Sequence, residues 1–205
     1  MLNALEIQIL VESGNYIQTY QKRRLQKLSQ RGLTLVYTGN GKGKTTAALG
    51  LAIRAKGRGK RVLVLQFIKS PARTYGEKIL FDQIGIEMQQ LGIGFTWTKT
   101  PEEHREALKK AWAITKDKVY SGLYDVVILD ELNNALVIDK FPIEDVLPIE
   151  EVIELIKHRP EAMHLVITGR SARQEILELA DLVTEMKEVK HYYKEGIPAV
   201  KGIEF

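Results

Sequence analysis

The run Thr38-Gly39-Asn40-Gly41-Lys42-Gly43-Lys44-Thr45-Thr46 puts three glycines, two lysines and a pair of adjacent hydroxyls into one short stretch of chain. Glycines let the backbone curl so that successive N–H groups point at one anion, and a helix start behind them adds its positive end. Lys44 is spaced to reach the outer phosphates of a nucleotide, and Thr45 to offer its hydroxyl to a magnesium ion. Gly39 through Thr46 therefore read as a phosphate-binding loop for a nucleoside triphosphate. One departure from G-x-x-x-x-G-K-[ST] stands out: Thr38 occupies the place of the first glycine, and Gly39 follows one residue late. With Lys42 added inside it, the cradle is shorter and more cationic than usual. The pose of the nucleotide does not follow from ordinary kinases or GTPases.

A second constellation is Asp125-Val126-Val127-Ile128-Leu129-Asp130-Glu131, an apolar strand that ends in two acids. On a strand expected beside the loop strand, Asp130 would reach the magnesium ion (manganese being the alternative). Glu131 would hold the metal or orient a nucleophile. A buried strand seldom ends in adjacent acids without a cation to compensate them. A third strand tip, Leu165–Ser171, carries Arg170, whose guanidinium suits bidentate contact with a phosphate at the carboxyl edge of a parallel sheet. Arg54, farther along the loop helix, is a further candidate ATP ligand, with a structural role equally open. The histidines His104, His158, His164 and His191 lack metal-ligand spacing, and no serine or cysteine nucleophile motif is present. Any attacking atom would come from a second substrate.

These groups need a rigid frame, and the chain supplies one. Strand patterns fall at Leu33–Tyr37, Arg61–Phe67, Asp125–Leu129, His164–Thr168 and Leu182–Met186, with a short sixth at Glu87–Leu91. Continuous apolar runs such as Val126–Leu129 fit strands buried on both faces. Thr100-Pro101-Glu102-Glu103 is a capping box with proline at the first helical position, opening a helix to about Tyr120. Its inner face would carry Leu108, Ala111, Trp112, Thr115 and Val119. Pro148 opens another helix with a stripe of Ile149, Val152, Ile153 and Ile156, and Ser171-Ala172-Arg173-Gln174 caps a third carrying Ile176, Leu177 and Ala180. Alternation of strands and helices predicts an α/β fold with a mostly parallel sheet covered on both faces.

Composition sets the outer bounds. A chain of 205 residues, 44% apolar, suffices for one α/β domain, and no stretch is long and apolar enough to span a membrane. The absence of cysteine excludes disulfides and thiolate metal sites and points to a reducing cytoplasm. A net charge of +4 suits anionic substrates but is too mild to indicate nucleic acid. The leader differs from the rest: Tyr16–Arg31 holds Lys22, Arg23, Arg24, Lys27 and Arg31 without one acid. It reads either as a basic helix that closes over an anionic ligand or as a solvated end.

Seven blocks in order resemble the ATP:corrinoid adenosyltransferases of cobalamin biosynthesis and salvage. They are Thr38–Gly50, Val64–Lys69, Gly94–Trp97, Leu129–Asn133, Thr168–Arg170, Glu178–Met186 and Gly202–Phe205. The likeness runs from about Gln18 to the last residue; Ser70 stands where that family usually has glycine. The resemblance implies a RecA-like P-loop fold, a three-layer sandwich over 32–205, preceded by a helical extension over 1–31. It implies transfer of the 5′-deoxyadenosyl group of ATP to a reduced Co(I) corrinoid, with release of inorganic triphosphate. Phe95 and Trp97, which spacing alone would assign to packing, would lie against the corrin's lower face, with Asn133 as a further corrinoid contact. A flavoprotein reductant and a homodimer, in which the leader covers the other subunit's site, are implied in the same way; nucleic acid and membrane are not. Two rivals stay open on the residues alone. One is phosphoryl transfer by a small-molecule kinase or ATPase with Glu131 orienting the nucleophile; the other is a RecA-like nucleic-acid-binding module.

Overall fold

The computed structural model describes residues 31–94 and 99–204. The leader expected over 1–31 lies outside them apart from Arg31, as do Phe95 and Trp97. The strands are β1 (Thr34–Thr38), β2 (Val62–Gln66), β3 (Glu87–Gln90), β4 (Val126–Asp130), β5 (His164–Thr168) and β6 (Leu182–Glu185). The helices are α1 (Lys44–Gly57), α2 (Gly76–Ile84), α3 (Pro101–Tyr120), α4 (Leu132–Ala135), α5 (Ile149–His158) and α6 (Gln174–Leu179), with a 3₁₀ turn at Tyr192–Glu195. All six strands pair in parallel, in the order β3-β2-β4-β5-β1-β6.

Alternation along the strands divides the core into two layers. Leu63, Leu65, Val127, Leu129, Leu165 and Ile167 face Leu108, Trp112 and Val119 of α3 and Val152, Leu155 and Ile156 of α5. Val62, Val64, Val126, Ile128 and Val166 face Ala48, Leu49 and Ala52 of α1 and Phe81 of α2. Every residue of β2 and β4 is buried, which is why their first four residues are apolar without a break and only Gln66 and Asp130 at their ends are polar. The edge strand β6 breaks the expectation of two covered faces, for all four of its residues are exposed.

The helix expectations hold in part. Thr100 and Glu103 form the capping box, and all five expected inner-face residues of α3 are buried. Trp112 packs in the core with its Nε1 donating to Glu151 at 2.7 Å. In α5 the buried stripe is Val152, Leu155 and Ile156, with Ile149 and Ile153 only half-buried, because Leu155 turns toward the sheet. The predicted cap at Ser171 is not formed. Ser171 sits at φ +52° in the turn that leaves β5, and α6 starts at Gln174 behind an Arg173 that makes no side-chain cap. The strand with the paired acids also lies elsewhere than expected: β5 separates β4 from the loop strand β1. The crossover through α1 carries the chain past two strand positions before β2, and the later strands fill the gap.

Candidate active site

The site assembles at the carboxyl ends of β1, β4 and β5. After β1 the chain turns through Gly39, whose φ of +92° is in the left-handed region. A Cβ there would stand 2.5 Å from the Met186 carbonyl oxygen, so the loop can lie this close to the chain after β6 only with glycine. Met186 N donates to the Thr38 carbonyl at 2.8 Å, and Gly41 N donates to the Met186 carbonyl at 2.7 Å, continuing the β1–β6 ladder into the loop. Thr38, the residue in place of the usual glycine, accepts from Ala172 N through its hydroxyl at 3.2 Å and so ties the loop to the Arg170 turn.

Behind the loop, α1 begins at Lys44 with no side-chain cap and no acid in its first turn. Its leading N–H groups and positive end are thus available to an anion. The Lys44 ammonium folds back on its own loop, donating to the carbonyls of Gly39 and Gly41 at 2.7 Å each. Burial holds its pKa below the ordinary value; Arg170 and, more weakly, Lys42 act the same way, and Glu131 opposes them.

Thr45 points from the first turn of α1 into the sheet and donates to Asp130 Oδ1 at 2.8 Å. Asp130 is fully buried and accepts two further bonds, from the Thr168 hydroxyl at 2.7 Å and from Gln66 Nε2 at 2.9 Å. These hydroxyls and this amide, from α1, β5 and β2, fix the carboxylate at the hub of the site. Thr45 keeps its oxygen lone pairs while donating, so it and Asp130 can share a hard cation.

Glu131 follows at φ +62°, with its N–H donating to the Thr168 hydroxyl at 2.9 Å. Its pKa is pushed up to about 7, chiefly by burial and then by Asp130, against weaker pulls from Lys69, Lys44 and Arg170. Gly169, at φ +132°, leaves room for α4 beneath it: a Cβ would meet Asn134 Oδ1 at 2.5 Å and Asn134 N at 2.8 Å. Asn134 accepts from Arg170 N at 2.8 Å and so fixes the turn that presents Arg170, itself exposed.

Lys44, Thr45, Asp130, Glu131 and Arg170 are brought together as the sequence suggested. Asn40, Lys42 and Thr46 are exposed around the loop. Arg54 is exposed too, and ten residues beyond Lys44 it stands about 15 Å along the helix axis. Asn133 is fully buried beside Gly169, and neither polar atom of its amide has a partner. Such an orphaned amide favours contact with an added polar group. A cavity of about 190 Å³ opens near the ends of β2 and β3, between Phe67, Leu91, His104, Leu108 and Phe141. The partners Gln66, Thr168, Asn134 and Thr38 were not singled out from the sequence. A threonine or glutamine closing an apolar strand was the available signal.

A parallel α/β sheet with a glycine loop, a lysine at the start of the next helix, and a hydroxyl held on a buried strand-end aspartate defines a P-loop nucleotide-binding protein. Within that class the chain belongs to the ATP:corrinoid adenosyltransferase BtuR/CobO/CobP family, whose profile matches residues 30–205. The corrinoid adenosyltransferase of Escherichia coli strain K12 is 42% identical over 184 residues, covering 89% of this chain and 90% of that one. Corrinoid adenosyltransferase CobA of Salmonella typhimurium shows the same identity and coverage. The corrinoid adenosyltransferase of Pseudomonas aeruginosa is 41% identical over 88% of this chain and 87% of its own. Among solved structures, the RadB recombinase aligns at a TM-score of 0.44 and 17% identity, over 79% of this chain and 77% of that one.

Proposed function

We propose that this chain transfers the 5′-deoxyadenosyl group of ATP to the cobalt of a reduced Co(I) corrinoid and releases inorganic triphosphate. The observation that carries the reading is the cationic, glycine-lined cradle formed by Lys44, the uncapped start of α1 and Arg170 in a chain of this family. Cobalt(I) supplies the electron pair. A Co–C5′ bond forms as the C5′–O bond breaks, and the leaving triphosphate takes the bonding electrons. The protein's work is to hold the polyanionic tail and to aim C5′ at the metal of its second substrate.

Lys44 leaves two neutral carbonyls for the triphosphate, and the uncapped N–H groups at the start of α1 serve the same charge. Each well-aimed donor in such a site contributes about 3–4 kcal/mol to the transition state. Juxtaposing the two substrates contributes on the order of 7–11 kcal/mol more. Thr45, Asp130 and Glu131 fit a magnesium ion, with manganese as the alternative, because they combine a hydroxyl and two hard carboxylates, the oxygen donors such an ion takes. When bound, the ion supplies positive charge at the departing phosphates.

The corrinoid side rests on the family. Phe95 and Trp97 are proposed to lie against the lower face of the corrin and Asn133 to meet its periphery. Arg54 would complete the ATP ligands. The basic leader 1–31 is proposed as a separate helical unit that covers the site of a partner subunit in a homodimer. A flavoprotein is the proposed reductant, and the cytoplasm the compartment. Among the described residues no helix is long and apolar enough to cross a membrane.

The test is to mix the protein, Mg-ATP and a reduced corrinoid without oxygen. A light-sensitive cobalt–carbon product with one triphosphate per alkylated corrinoid is expected. ADP or orthophosphate with unalkylated corrinoid would overturn the reading in favour of phosphoryl transfer.

A further inference from the structure

The segment after β6 returns to the phosphate loop a second time. It leaves β6 along Gly41, forms the 3₁₀ turn at Tyr192–Glu195, and comes back through a turn in which Ile203 N and Glu204 N both donate to the Val200 carbonyl. There the Glu204 carboxylate is held from both sides. The Tyr192 hydroxyl donates to its Oε1, and the Lys42 ammonium donates to its Oε2. Glu204 keeps only 17% of its side chain exposed against 46% for Lys42. A carboxylate so withdrawn from water needs a fixed counter-charge, and the extra lysine of the phosphate loop provides it.

We propose that Glu204, fixed by Tyr192, is a positioning residue that competes with bound triphosphate for the Lys42 ammonium. This rests on residues 39–46 being the triphosphate cradle. The two loop lysines then differ in kind. Lys44 is held by neutral carbonyls and leaves them at little cost, whereas Lys42 must leave an ion pair. The same segment faces the other phosphate-site cation as well, because Glu188, paired with Lys194, lies close enough to Arg170 to feel its charge. Binding the polyanion through Lys42 requires this pair to break, and its energy is subtracted from the affinity, while freeing the lysine restores only that side chain's rotamers. The carboxylate therefore holds affinity for the leaving group down, and a loop built to grip triphosphate can still release it.

The experiment measures dissociation constants for inorganic tripolyphosphate on the full chain, by calorimetry at fixed low ionic strength. Four variants are compared with wild type: Glu204→Gln, Tyr192→Phe, Lys42→Ala and the Lys42→Ala/Glu204→Gln double variant. Glu204→Gln is expected to tighten tripolyphosphate about fivefold, and Tyr192→Phe about twofold in the same direction. In the Lys42→Ala background the Glu204→Gln effect should vanish. Product inhibition by tripolyphosphate should strengthen in parallel, which loss of a merely structural contact would not cause. Tyr192→Phe keeps the ring and tests the same contact should Glu204→Gln fold poorly. Weakened or unchanged binding in both single variants, or a Glu204→Gln effect that persists without Lys42, overturns the proposal. If the wild-type chain binds no tripolyphosphate, the cradle itself is refuted, and the proposal with it.

Discussion

Strand β4 is flanked by acids at both ends, and the two ends treat them oppositely. At the amino edge, Asp125 accepts from Arg61 N at 2.8 Å, Arg61 Nη2 at 2.9 Å and Arg61 Nε at 3.3 Å. Those side-chain and backbone bonds bring its pKa down to about 2. Its backbone meanwhile pairs with the Arg61 carbonyl and with His164 N, so one residue fastens the starts of β2, β4 and β5. At the carboxyl edge, Asp130 takes its side-chain hydrogen bonds from Thr45, Thr168 and Gln66, all neutral, and Glu131 beside it is raised to about 7. An acid answered by arginine within the chain contributes to holding the sheet. Asp130, fixed in place by neutral donors alone, is the acid suited to the cation proposed to arrive with the substrate.

The contrast can be broken from either end. Lys44→Ala should have the largest effect, lowering triphosphate release by two to three orders of magnitude, about 3–4 kcal/mol, with the melting temperature nearly unchanged. A single-turnover assay of alkylated corrinoid reads it; near-normal rates would remove the loop lysine from the reaction. Asp130→Asn should abolish the magnesium dependence of ATP affinity, a loss on the order of a hundredfold, while metal-free stability stays within about 1 kcal/mol because a buried charge is removed with the hydrogen bonds. Titration with and without magnesium checks it, and a preserved magnesium effect would place the ion elsewhere. Gly169→Ala should destabilise by about 2 kcal/mol in denaturant unfolding, because φ is +132° and the new methyl would meet backbone as well as the Asn134 amide.

The smallest effect belongs to the amino edge. Asp125→Asn should cost about 1 kcal/mol, since the partners are partly exposed, and leave ATP affinity unchanged. Its pH dependence has a definite sign. The folded value, about 2, lies below the ordinary 3.8, so the contribution is full above about pH 4 and disappears as pH falls through 2. Acid titration of unfolding should show wild type and Asp125→Asn converging there; parallel curves would mean that the carboxylate contributes nothing.

Much of the frame and of the phosphate site was legible because both depend on short-range patterns. The capping box at Thr100, the apolar runs of β2 and β4 and the glycine loop each carry their reason within a few residues. What escaped depends on contacts distant in sequence. Gln66 and Thr168 look like ordinary strand ends until the sheet order brings them to Asp130. Ser171 reads as a cap only if the turn at Gly169–Arg170 is ignored, and that turn is imposed by Asn134 of α4. The position of β4 was misread because no residue in it records which strand lies between it and β1. Helix α2 passed unmarked, although Ile79, Leu80, Phe81 and Ile84 gave a helical signal; only Phe81 is buried, and the others are exposed. The affinity of Glu204 for Lys42 has no local signature at all.

At Gly39 and Gly41 the loop's curvature is set by main-chain contact with Met186 and Lys187, while at Gly43 the loop lies against the Met186 thioether. Exchanging Lys187 for another type should therefore leave the nucleotide cradle unaltered, whereas a bulkier residue at Met186 would press on Gly43. Adding or deleting a single position between Leu182 and Lys187 would instead slide the template under the glycines, and a lesion far off in the primary structure would disarm the grip on ATP without touching one of its ligands.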